Sequence, residues 1–87
     1  MLKITRAVNG EVVLTVSGRL NAENLDEVQT LLSAEAGSRR ITLDLKDLTH
    51  VDQDTVRFLE RCEVDNIQLK NCPAYIREWI TREREQR

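Results

Sequence analysis

The densest cluster of residues capable of chemistry is the run Asp44 to Asp54, DLKDLTHVDQD. It carries Asp44, Asp47, Asp52 and Asp54 around the chain's one histidine, His50. Carboxylate clusters of this kind bind hard cations such as Mg²⁺ and Ca²⁺. The spacing is not that of a Ca²⁺ loop, and Leu45, Leu48 and Val51 interrupt it at positions suited to anchoring in a core. Separate duties fit the four acids better. Asp44 belongs on the polar face of a strand, Asp47 in a turn, Asp52 at a helix cap and Asp54 in the first helical turn, where the helix dipole favours negative charge. A second chemistry would pair His50 with Cys62 or Cys72 as base and thiol. A lone histidine ahead of a helix more often serves at the surface or in packing, so no catalytic residue is assigned. The two cysteines form no CxxC and read as free thiols rather than as a disulfide or zinc site. Gly10, Gly18 and Gly37 are isolated, which leaves no glycine-rich loop to cradle a phosphate, and neither HExxH nor GxSxG occurs. The sequence indicates neither an enzyme nor a cofactor.

Composition narrows the remaining classes. With 87 residues, residues 1–87 are expected to form one domain. A chain this short buries only about 60% of its unfolded surface, which makes a homodimer attractive as extra burial. Thirteen Lys and Arg face fifteen Asp and Glu, so there is no electrostatic case for nucleic acid or an acidic membrane. No apolar run approaches the ~20 residues that span a bilayer. Met1-Leu2-Lys3 leads straight into alternating residues, without a signal-peptide pattern, and a cytoplasmic location is expected.

The elements that must position these residues follow from periodicity. Leu2 to Arg6 and Glu11 to Ser17 alternate on either side of Asn9-Gly10, a strong hairpin signal. Gly18 is expected to break the second strand. Asn21 then caps a helix running to about Ala36, with Leu25, Val28 and Leu32 on one stripe and Gly37 past its end. Arg40 to Leu45 alternates as a third strand. The helix between the second and third strands is long enough for a parallel crossover. Asp52 caps a second helix from Gln53 to about Cys62. Asn66 to Lys70 is a fourth strand, and Pro73 opens a third helix that buries Ile76, Trp79 and Ile80. The predicted fold is α/β, β-β-α-β-α-β-α. It has a mixed four-stranded sheet, an N-terminal antiparallel hairpin, then parallel crossovers with the helices mainly on one face.

Residues Ile41 to Leu59, ITLDLKDLTHVDQDTVRFL, resemble the signature of STAS domains, especially the anti-sigma factor antagonists. That signature is a strand ending Leu-Asp-Leu, a short loop, an apolar residue and Asp, then a helix opening Ser-Ser-Gly-Leu. Ser17 to Leu32 and Ile67 to Ile80 are similar to the family's flanking segments, so the resemblance covers nearly the whole chain. It implies a bacterial regulatory module that binds a protein partner, such as an anti-sigma factor that is also a kinase. The implied contact surface comprises Leu48, Asp52, Gln53, Asp54, Thr55 and Val56. In the antagonists the second serine is phosphorylated to switch binding. Here Asp52 keeps the family's Asp, Gln53 and Asp54 stand at the two serines, Thr55 at the Gly and Val56 at the Leu. The standard switch therefore has no hydroxyl at its site. Asp54 is either a fixed, weaker imitation of phosphoserine or simply an acid at a helix N-terminus. Thr55 offers a hydroxyl one position on. Many STAS domains continue with another strand and helix where this sequence reads TREREQR, so the fourth strand is expected either to be an exposed edge, which would invite pairing, or to leave the third helix covering more of the sheet. The alternative to a partner-binding regulator is a self-associating module, with the second strand, fourth strand or third helix as interface and Tyr75 and Trp79 as anchors.

Overall fold

A computed structural model describes residues 2–8, 10–35 and 40–86. The elements run β1 (Leu2–Val8), β2 (Val12–Leu20), α1 (Leu25–Glu35), β3 (Ile41–Asp44), β4 (Leu48–Val51), α2 (Gln53–Val64), β5 (Gln68–Lys70) and α3 (Ala74–Glu85). β1 and β2 form the expected antiparallel hairpin, with Leu2 opposite Gly18 and Val8 opposite Val12. Gly10 takes a φ of 78° at the turn. Asn9 of the expected turn and Gly37 beyond α1 lie outside the described residues. The order across the sheet is β1-β2-β3-β5, with β4 also paired to β2, and every pairing after the hairpin is parallel.

Two expectations need correction. The sheet has five strands among the described residues, not four, because Leu48–Val51 is a strand rather than part of a loop. Gly18 does not end β2. It adopts a φ of 93°, and the pairing register shifts between Gly18 and Arg19. A positive φ costs glycine little, so the chain bends there and continues. Val12 to Thr15 pair with β3, whereas Gly18 to Leu20 pair with β4. β3 and β4 thus follow one another along one flank of β2. The turn between them is fixed by the Gly18 N–H donating to Asp47 O (3.0 Å), Lys46 N–H to Asp44 Oδ1 (3.0 Å) and Leu48 N–H to Leu45 O (3.1 Å).

Alternation assigns the faces. Val12, Leu14 and Val16 of β2, Ile41 and Leu43 of β3, and Leu69 of β5 share one side. There they join Leu25, Val28, Leu32, Val56, Leu59, Ile76 and Ile80 from the three helices in one core. The opposite side carries Lys3, Thr5, Thr15, Ser17, Asp44, Gln68 and Lys70. The helices therefore cover one face, as the alternating pattern predicts. Thr42 is the exception on the polar face: it is buried on the central strand, and its hydroxyl has no partner among the described residues. Pro73 stands at the cap of α3 rather than inside it, and its carbonyl accepts the Ile76 and Arg77 N–H groups.

Candidate functional site

The parallel strands β2 and β4 end side by side, with Leu20 paired to Val51. The chain leaves each of them toward a helix, which puts the starts of α1 and α2 at adjoining carboxyl ends of strands. This is where α/β folds commonly place their sites. Asn21 does not cap α1 directly. Its side-chain oxygen accepts the Glu23 N–H (2.9 Å), its own N–H donates to Asn24 Oδ1 (2.8 Å), and α1 begins only at Leu25. Asn24 Nδ2 donates to Arg19 O (2.9 Å), so the loop is held on both sides.

Asp52 caps α2 as expected, from an extended backbone conformation. Its Oδ1 accepts the Thr55 N–H at 2.9 Å and lies 2.8 Å from the Thr55 hydroxyl. Its Oδ2 accepts the Ala22 N–H at 3.0 Å. One carboxylate therefore clamps the start of α2 to the loop before α1. Burial alone would raise its pKa. The N–H groups of Ala22 and Thr55 and the Thr55 hydroxyl, all favouring the ionised form, outweigh burial and hold the group below the usual carboxylate range.

Thr55 is fully buried, and its Oγ1 also lies 2.9 Å from Leu20 O. Its single proton serves Leu20 O or Asp52 at any moment. A kinase cannot reach such a hydroxyl without opening the helix start, which removes Thr55 as a shifted phosphosite. Leu48 and Val56 are core residues too. The contact surface drawn from the sequence therefore narrows. Leu48, Thr55 and Val56 face inward because the strand and helix periods that carry them point at the core. Asp52 is partly covered, and Gln53 and Asp54 are exposed.

The structure adds neighbours that the sequence did not assign to this place. Gln53 Nε2 donates to Glu83 Oε1 of α3 at 3.2 Å, and Tyr75 Oη donates to Thr49 O of β4 at 3.0 Å. Tyr75 is 50% exposed, and Trp79, one turn further along α3, is partly covered. The outer side of α3 and the start of α2 thus form one continuous surface. Tyr75 and Trp79 are legible in the sequence as an aromatic pair at helical spacing, but the meeting of their helix with Gln53, through Glu83, depends on long-range packing. Glu60 on α2 is buried at 3% exposure, which its charge in the sequence does not signal.

The other chemistry-bearing residues go elsewhere. Asp44 Oδ1 holds the β3–β4 turn and accepts from Asn71 Nδ2 at 3.3 Å. Asp47 lies exposed in that turn. No group of three or more His, Cys, Asp or Glu converges among the described residues. His50 is exposed, with Nδ1 3.3 Å from Thr49 Oγ1. Cys62 and Cys72 are free thiols. Burial first, then the charges of Asp65 and Glu63, pushes the Cys62 thiol up to about 12, far from a nucleophilic thiolate at neutral pH. Burial also raises Cys72, and Glu63 adds to this against the opposing charge of Arg77. No described helix is long and apolar enough to cross a membrane.

Comparison with known proteins agrees with this architecture. No curated protein matches the sequence closely enough to count as a relative. The family model described as STAS domain matches residues 3–72, from β1 through the end of β5 and past it to Cys72. Because that match spans most of the sequence and the sheet order, the chain belongs to the STAS domain family.

Proposed function

We propose that this STAS domain is a non-catalytic, cytoplasmic protein-interaction module in a bacterial regulatory system. It resembles the anti-sigma factor antagonists, and its partner is an anti-sigma or kinase-like regulator that binds the start of α2 through Gln53 and Asp54. The observation that carries this reading is the exposure of Asp54 on a locked helix start, at the position where the family's antagonists carry their phosphorylated serine. A carboxylate there supplies a fixed charge of one, against about 1.5 to 2 for a phosphoserine. The neighbouring hydroxyl, on Thr55, is buried, so the surface is constant rather than switched. Tyr75 and Trp79 extend it with the aromatic area common at the centre of protein interfaces.

Affinity capture from the native cell with wild-type and Asp54→Ser baits tests this. Recovery of an anti-sigma or kinase-like protein, together with phosphorylation or altered retention of Asp54→Ser, supports the assignment. Recovery of that partner with both baits alike, and no modification of the serine, removes position 54 from the contact.

A second reading, a self-associating module, is favoured by the outer edge of β1, which no described strand covers. β2, named from the sequence as a possible interface, is excluded, because strands flank it on both sides. β5 is an edge but only three residues long.

A further inference from the structure

We infer that the outer edge of β1 is a self-pairing surface, and that its occupant is β1 of a second copy of this chain in antiparallel register centred on Thr5. This rests on the self-association reading and is independent of the partner site on α2, which lies on the far flank of β2.

The directions of the backbone groups follow from β2. Its Val12 and Gly18 N–H groups donate to Arg40 O and Asp47 O, away from β1. Residues alternate along a strand, so Val13, Thr15 and Ser17 are the ones that face β1, opposite Ala7, Thr5 and Lys3. Leu2, Ile4, Arg6 and Val8 therefore turn their N–H and C=O groups outward. None of the four makes a backbone hydrogen bond outside the hairpin among the described residues. Their side chains lie on the helix-covered face: Leu2 and Ile4 pack against the core, and Arg6 pairs with Glu35 of α1 at 2.5 Å.

The register then selects itself. Centred on Arg6, the pairing would set two guanidinium groups directly opposite, which is destabilising. Centred on Ile4, it would leave Val8, one of the four outward residues, without a partner. Centred on Thr5, all four outward residues are matched, Leu2 with Val8 and Ile4 with Arg6. Val8, which is 42% exposed in the monomer, gains an apolar neighbour, and Thr5 meets Thr5, a favourable cross-strand pair. The charges also complement. A shallow groove lined by Ile4, Leu31, Thr30, Asp26 and Glu27 runs between β1 and α1. Neither Asp26 nor Glu27 has an ion-pair partner among the described residues. In this register the second copy's Arg6 stands opposite Ile4, at the mouth of that acidic groove, and the two-fold repeats the arrangement.

An inward-facing charge on an edge strand can instead guard against pairing, and the experiment separates the two roles. The full chain is followed by sedimentation over a concentration series, with residue-resolved amide exchange at both ends of the series. The expected result is a reversible dimer in which the Ile4 and Arg6 amides gain at least about tenfold protection, while the Thr5 and Ala7 amides are protected throughout. Arg6→Pro removes an outward N–H that the hairpin does not use and abolishes the dimer. If that variant fails to fold, the α1 surface double variant Asp26→Lys, Glu27→Lys weakens association at least about tenfold. A monomer at all concentrations overturns the inference. So does a dimer whose Ile4 and Arg6 amides exchange freely, although that outcome leaves self-association through another surface standing. Tighter association of Arg6→Ala also overturns it, because Arg6 would then be a guard.

Discussion

Asp52 joins two segments with one carboxylate, and the consequences of losing it are separable. Asp52→Ala removes the cap and the bond to Ala22 together. A cap alone is worth about 0.5–2 kcal/mol, so a loss at or above the upper end of that range is expected in denaturant unfolding. Asp52→Asn keeps an acceptor but removes the charge. The folded pKa lies below the unfolded value. The charge therefore stabilises the fold above the unfolded pKa, and this contribution is lost as pH falls through the folded one. The acid limb of stability against pH should flatten in Asp52→Asn relative to wild type. Thr55 makes a second case. Thr55→Val keeps the shape but leaves Leu20 O without its hydroxyl partner, and a cost of about 1–3 kcal/mol is expected, with Thr55→Ser much milder. Because Asp52 is structural, a binding test that changes Asp52 and Asp54 together would confuse unfolding with lost contact; Asp54 alone is the informative position. The cap was legible in the sequence because it spans three residues. The bond to Ala22 was not, because it spans thirty and requires β2 and β4 to be paired first.

At the scale of elements, the helices and the hairpin were legible because their apolar periods are long enough to be unambiguous. β4 was not. Leu48-Thr49-His50-Val51 is four residues with two polar ones exposed in the middle, and only the availability of β2 beyond Gly18 makes it a strand. From sequence the glycine signals a stop, because glycine usually weakens strands; its φ of 93° makes it a bend instead. Gly18→Ala forces a side chain into that left-handed conformation. A loss of about 1–2 kcal/mol is expected, concentrated in β4 and the start of α2. Amide exchange at Leu48 to Val56 measures it: unchanged protection there would mean that the bend does not hold β4.

At the scale of the whole molecule, the sheet has one covered face and one polar face, the arrangement that the alternating strands predict. Its radius of gyration of 12.1 Å is what a compact domain of this length should have, about 12 Å. No deep site is needed to explain the fold: the core is filled by Leu, Ile and Val. The two surfaces proposed above are both superficial, one at the start of α2 beside α3 and one along the β1 edge. Half of the contact set drawn from the sequence proved to be core, because a linear motif mixes inward and outward residues and only the placed helix separates them. Photo-crosslinking from Gln53 and Asp54 in the native cell, against Lys70 on the polar sheet face as control, tests the partner surface most directly. The predicted result is an adduct with one regulatory protein from positions 53 and 54 and none from position 70. Equal adducts from all three positions, or an adduct from position 70 alone, would contradict the assignment of α2 as the partner-binding element.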